Sequence, residues 1–146
     1  MFIQATCVAI DSRGVLIRGA PGSGKSDLAL RLIDGGAALV ADDGVDLQAE
    51  NGALTARFPP QAPPDLKGRI EVRGLGIVEV GAGPAVRLAL LVDLALPESI
   101  ERMPENQTET ILGIELFRIR LAPFEASAPT KVRLAVRQAS RIIRPP

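Results

Sequence analysis

Histidine, tryptophan and tyrosine are absent from this chain, and cysteine occurs once, in 146 residues. Without histidine, the commonest general base and the commonest zinc ligand are both unavailable. The lone Cys7 excludes an intrachain disulfide, and its apolar surroundings make it a small packed hydrophobe. Charge of either sign is not in excess: 17 Lys and Arg balance 17 Asp and Glu. Nothing global therefore points to nucleic acid or to another polyanion. Long apolar runs are missing too. The most apolar stretch, Leu88 to Leu96, is short and broken by Asp93, so no membrane span is expected. Met1-Phe2-Ile3-Gln4 lacks the positive region of a signal peptide, and cytoplasmic residence is the default expectation. With four phenylalanines as the only aromatics, candidates for clamping a flat ligand are few.

What remains is an ordinary globular composition, 47% hydrophobic and 23% charged, sized for one domain over residues 1–146 with a real core. Within it Gly19-Ala20-Pro21-Gly22-Ser23-Gly24-Lys25-Ser26 is a complete Walker A sequence. It follows the apolar run Val15-Leu16-Ile17 and precedes a helical pattern through Leu28, Leu30, Leu32 and Ile33. That strand–loop–helix setting is the one the motif requires. Its glycines let backbone N–H groups turn toward a phosphate. The helix N-terminus and Lys25 supply positive charge, and the Ser26 hydroxyl can ligate Mg²⁺. A glycine-rich turn capping a helix would not need Lys-Ser at that offset.

Residues Ile3 to Ile10 read as a strand, Asp11 to Gly14 as a turn and Val15 to Ile17 as a second strand. A helix from about Lys25 to Ile33 ends at Gly35-Gly36. Leu39-Val40-Ala41 is a short buried strand. Leu47 to Arg57 is a hairpin around Asn51-Gly52, and four prolines between 59 and 64 stiffen an extended loop. Strand segments follow at Arg69 to Arg73 and Ile77 to Val80. Val86 to Leu96 is the central-strand candidate, Pro97 to Arg102 a helical turn, and Glu115 to Leu121 a half-buried strand. Pro129 to Ile143 is the clearest helix, with Val132, Ala135, Val136, Ala139, Ile142 and Ile143 on one face and Thr130 as its N-cap. Strands outnumber helices, so the expectation is a strand-rich α/β unit, whereas the ordinary P-loop fold alternates the two.

Two clusters carry further chemistry. Asp42-Asp43 ends the strand after the P-loop helix, where P-loop proteins place a carboxylate beside the metal and phosphates. One acid can hold the metal while the other orients or deprotonates an attacking hydroxyl. The plainer alternative is a pair of solvated turn residues before Gly44. Glu71 and Arg73 share one face of a strand ahead of the Gly74-Leu75-Gly76 bend and can serve metal and phosphate. The plainer alternative there is an ion pair beside a bulge. Lys131, Arg133, Arg137, Arg141 and Arg144 form a basic C-terminal stretch, either a dock for an acidic partner or the solvated face of a helix.

Three blocks in order, Gly19 to Ser26, Leu39-Val-Ala-Asp-Asp43 and Ile70-Glu-Val-Arg-Gly-Leu-Gly-Ile77, together resemble the catalytic domain of the HPr kinase/phosphorylase family, from about Gln4 to about Arg137. The resemblance implies a strand-rich mixed sheet with a P-loop, similar to phosphoenolpyruvate carboxykinase. It implies ATP and Mg²⁺, a serine of an HPr-like phosphocarrier as acceptor, and a homo-oligomer, with neither nucleic acid nor membrane as partner. Residues Gly19, Ala20, Pro21, Gly22, Ser23, Gly24, Lys25 and Ser26 would hold the ATP phosphates. Lys25 would neutralise charge and Ser26 would bind Mg²⁺. Asp42 would be the catalytic carboxylate, with Asp43 and Glu71 supporting the metal. Arg102 is the candidate for the family's mobile-loop arginine. The chain resembles a short form without the family's N-terminal domain. Gln4 stands where the family has a His, and an amide cannot relay a proton, so the phosphorylase direction is expected to suffer more than the kinase direction. Two other functions compete: a non-catalytic nucleotide sensor, and a small-molecule kinase or general NTPase. The chain has no Asn-Lys-x-Asp and no Leu-Ser-Gly-Gly-Gln sequence, which disfavours GTPases and transporter ATPases.

Overall fold

Alternating patterns separated by turn residues give eleven strands and two helices in the computed structural model, which describes residues 1–142. In chain order these are β1 (Phe2–Ile3), β2 (Thr6–Ile10), β3 (Arg13–Arg18), α1 (Lys25–Asp34), β4 (Ala38–Ala41), β5 (Val45–Glu50), β6 (Ala53–Arg57), β7 (Arg69–Val72), β8 (Gly76–Glu79), β9 (Val86–Leu94), β10 (Gln107–Ile111), β11 (Ile114–Leu121) and α2 (Ala128–Ile142). Short 3₁₀ turns lie at Pro64–Leu66 and Pro97–Ser99. The Ile142 side chain, Ile143 and Arg144, expected on the last helix or in its basic stretch, lie outside the described residues.

β9 is the strand at which the main sheet branches. It runs parallel to β3, with Arg18 opposite Asp93, and parallel to β11, with Arg120 opposite the same Asp93. Its first residues pair antiparallel with β6. The sheet order is β1-β5-β6-β9-β3-β2-β4, with β11 and β10 joined at β9, so parallel and antiparallel pairs mix as expected. β7 and β8 form a separate hairpin. One face of the sheet packs Val15, Ile17, Leu90 and Val92 against Leu28 and Leu32 of α1 and Val132 and Val136 of α2. The other packs Cys7, Leu16 and Leu91 against Val40, Leu47, Leu54 and Leu116. Cys7 is fully buried, and burial pushes its thiol up to about 12.

Local chemistry explains the element ends. Asn51 and Gly52 both take positive φ, 52° and 76°, which makes a two-residue turn whose twist matches its strands. α1 stops in a Schellman arrangement: Ala37 N–H donates to the Leu32 carbonyl at 3.0 Å and Gly36 N–H to Ile33 at 2.9 Å. Several expectations need correction. The first strand is two, parted by a bend at Gln4. β3 already begins at Arg13, because Asp11 and Ser12 alone complete the turn. β10 carries too few apolar residues to be legible as a strand, and its turn places Leu112 at φ 50°. α2 starts at Ala128, with Lys131 N–H donating to the Ser127 carbonyl, so Thr130 lies inside the first turn and is not the cap.

Candidate functional site

The P-loop leaves the C-terminal end of β3 and enters α1 at Lys25. Gly24 sits at φ 106°, a conformation that a side chain at this position would strain. Ser23 N–H donates to the Ala20 carbonyl at 3.0 Å and closes the turn. Lys25 is buried, and its Nζ donates to the Gly19 and Ala20 carbonyls at 2.7 and 3.2 Å. The ammonium is thereby held against the first residues of the loop. The Ser23 hydroxyl is buried without a hydrogen-bond partner, an orphan donor inside a loop of phosphate-binding sequence.

Asp42 joins this loop to its surroundings. The Ser26 hydroxyl donates to Asp42 Oδ1 at 2.8 Å, and the Thr6 hydroxyl donates to the same oxygen at 2.9 Å. Both donors fall on Oδ1, so Oδ2 keeps its capacity to accept. Asp43 follows at φ 60°, in the left-handed region that Asp tolerates better than most residues, and turns the chain toward β5. Its N–H lies 3.4 Å from the Thr6 hydroxyl. Thr6 is a residue that sequence reasoning passed over. It is fully buried, and a hydroxyl interrupting an apolar strand was the available signal.

A cleft of about 280 Å³ opens beside the Asp pair. Asp42, Asp43, Arg69 and Glu71 supply its charge; Phe2, Phe58, Leu66 and Ile77 supply apolar wall. Glu71 is thus brought to the same cleft as Asp42 and Asp43. Its guanidinium neighbour on the cleft is Arg69, two residues earlier on β7. Arg73, expected to share the strand with Glu71, falls in the turn after Val72, where β7 ends. Among the described residues no three Asp, Glu, Cys or His groups gather as a metal cage. Mg²⁺ does not require one, since it keeps waters and phosphate oxygens in its shell and takes one or two protein oxygens. The Ser26 hydroxyl with either the Asp43 or the Glu71 carboxylate offers hard oxygen donors of that kind.

Other expected residues lie elsewhere. Arg102 sits in an exposed segment before β10, without a hydrogen bond or ion pair among the described residues. In the basic stretch, Lys131 pairs with Glu125 at 3.0 Å, and the Arg133 guanidinium lies over Gly35, at the C-terminal end of α1 where a cation is favoured. Gln4 is exposed in its bend.

An ion network below the P-loop went unforeseen. Arg18, the residue before Gly19, binds Asp93 through Nε at 2.7 Å and Nη2 at 2.9 Å, and Glu109 through Nη1 at 2.6 Å and Nη2 at 2.8 Å. Arg118 also donates to Asp93 and reaches Gln107 Oε1 at 2.8 Å. Glu109 and Asp93 together hold the Arg18 guanidinium above its ordinary basicity. Burial works to raise the Asp93 carboxyl, but the hydrogen bonds from Arg18 and Arg118 outweigh it and hold Asp93 below the usual range. Arg18 likewise lowers Glu109.

Fold and site together define the class: a strand-rich α/β domain that sets a Walker A loop against an Asp–Asp pair. The family model for the HPr Serine kinase C-terminal domain matches residues 1–126. The HPr kinase/phosphorylase of Shouchella clausii is 35% identical over 139 residues, 92% of this chain and 42% of that protein. The one from Acidovorax sp. is 37% identical over 118 residues, 73% of this chain and 36% of that protein. The solved structure of the HPr(Ser) kinase/phosphatase from Coxiella burnetii superposes with a TM-score of 0.77 at 32% identity, covering 97% of each chain. The chain belongs to the HPr serine kinase C-terminal domain family. It spans about two-fifths of the length of the curated relatives it matches.

Proposed function

We propose that the chain is an ATP-dependent kinase that phosphorylates a serine hydroxyl of an HPr-type phosphocarrier. One observation carries the reading. Asp42 accepts the Ser26 hydroxyl of the Walker A loop and also lines the cleft with Asp43 and Glu71. A carboxylate at the junction of a phosphate loop and an open cleft is where a base for an incoming hydroxyl belongs. The relatives' names, HPr kinase/phosphorylase, supply the acceptor class.

In this mechanism the backbone amides from Gly22 to Ser26 grip phosphate oxygens, and the Lys25 ammonium balances their charge. Ser26 Oγ, with Asp43 or Glu71, would hold Mg²⁺, which supplies charge neutralisation on the phosphate oxygens. Asp42 takes the proton from the acceptor serine through Oδ2, while Ser26 and Thr6 fix the carboxylate through Oδ1. Phe2, Phe58 and Leu66 offer apolar wall on which the carrier segment bearing that serine can rest. The test incubates the purified chain with γ-labelled Mg-ATP and HPr-type carriers from its own cell. Label on a carrier serine supports the reading; label on no carrier, beside a working control kinase, overturns it.

Gln4 favours a second reading, a nucleotide-binding module that senses without transferring. The exposed amide stands where the family resemblance places an imidazole. Nucleotide binding without turnover, converted to turnover by Gln4→His, is the result that would select it.

A further inference from the structure

The P-loop reading leaves the nucleotide's base without a site. Phe117 is buried in the core, and Phe2 and Phe58 line the cleft on the Asp42 side. Phe124 stands elsewhere, against the P-loop itself. A Cβ placed on Gly24 would come within 2.8 Å of Phe124 Cζ, 3.2 Å of Cε1 and 3.3 Å of Pro123 Cγ. The ring is therefore in contact with the loop backbone, yet Phe124 remains 71% exposed. A lone exposed phenylalanine signifies nothing; one seated on the glycine that opens the phosphate-binding helix is differently placed.

Its backbone is also anchored. Arg31 of α1 donates to the Pro123 carbonyl and, at 3.4 Å, to the Glu125 carbonyl, on either side of Phe124. Arg31 is itself braced by Asp27 one turn earlier, at 3.0 Å. The segment carrying the ring is thus tied to the helix that begins at the P-loop, which keeps the Phe124 backbone beside that loop. Phe124 is not among the residues that line the Asp42 cleft, which the proposed function gives to the acceptor.

We propose that Phe124 is the stacking platform for the nucleobase, an inference that rests on the nucleotide reading of the P-loop. An aromatic face recognises any base by its π-surface. Stacking on Phe124 therefore tightens binding while discriminating little between adenine and guanine.

Titration calorimetry in Mg²⁺ with ATP and with tripolyphosphate, which lacks base and sugar, tests this. Phe124→Ala is expected to weaken ATP on the order of tenfold and to leave tripolyphosphate within about twofold. Phe124→Trp restores ATP affinity and introduces the sole tryptophan of the chain, whose emission ATP quenches and tripolyphosphate does not. Unchanged ATP affinity in Phe124→Ala, or equal weakening of both ligands, overturns the platform while leaving the P-loop reading intact. Failure of the unaltered chain to bind either ligand overturns the P-loop reading, and the platform with it.

Discussion

The proposed mechanism concentrates its chemistry in the Asp42 side chain. Ser26 and Thr6 both donate to Oδ1, so the carboxylate is oriented by the P-loop and by β2 before any substrate arrives. Asp42→Asn keeps the shape and loses the proposed proton acceptor. Transfer to the carrier is expected to fall by about 10²- to 10⁴-fold, with ATP affinity changed only a few-fold, as read by labelled transfer and by calorimetry. An equal loss of binding and transfer would instead make Asp42 a structural brace of the loop. Gln4 offers the complementary experiment, because phosphorolysis needs a group that manages a proton on phosphate. Gln4→His is expected to raise transfer of the phosphoryl group from a phosphoserine carrier to inorganic phosphate, read as pyrophosphate formed, several-fold relative to the kinase direction; an unaltered ratio of the two would detach Gln4 from the chemistry.

Between residue and fold stand the strands that carry the loop. Arg18 ends β3, Asp93 lies opposite it on β9, and Glu109 and Arg118 come from β10 and β11. Four strands are thereby tied together one residue before the Walker A sequence. Arg18 and Asp93 are about one-fifth exposed, so the cost of breaking the network lies between that of surface and buried pairs. Arg18→Met should destabilise the fold by about 2 kcal/mol, a fall in Tm of roughly 6 °C by calorimetry. The sequence hides this arrangement, since side chains reaching across neighbouring strands join residues 75 and 91 positions apart and leave no local pattern. Local signals were legible where local physics decides: the Asn51-Gly52 turn, the Gly35-Gly36 helix end and the α2 apolar face at Val132, Ala135, Val136 and Ala139. They failed where pairing decides. β10 is a strand because β11 pairs with it, and Arg69 rather than Arg73 shares the cleft because β7 ends at Val72. The Walker A and Asp–Asp blocks could be read in advance, but their junction through Thr6 could not.

At the scale of the whole molecule, stability across pH follows from which titratable groups folding perturbs. Three carboxylates are held below their ordinary values. Asp46 is lowered chiefly by Arg57, which bonds it at 2.7 Å between β5 and β6. Asp93 is lowered against the cost of burial by Arg18 and Arg118, and Glu109 by Arg18. A depressed carboxyl adds stability above its unfolded value, here the ordinary 3.8 for Asp and 4.5 for Glu, and surrenders it as pH falls through the folded value. Cys7 has the opposite sign. Its thiol is raised by burial from 9.0 to about 12, so its contribution is full below pH 9 and fades as pH rises above it, because the unfolded chain ionises first. No histidine titrates between these limits. Tm measured by scanning calorimetry is therefore expected to stay level from about pH 5 to pH 7. It should drop by several degrees toward pH 3 and decline again above pH 9. Arg18→Met should flatten the acid limb, because Asp93 and Glu109 then titrate nearer their ordinary values, while Cys7→Ala should flatten only the alkaline limb. A sloping Tm between about pH 5.5 and pH 7, in a chain without histidine, would contradict this account of how its charges hold the fold.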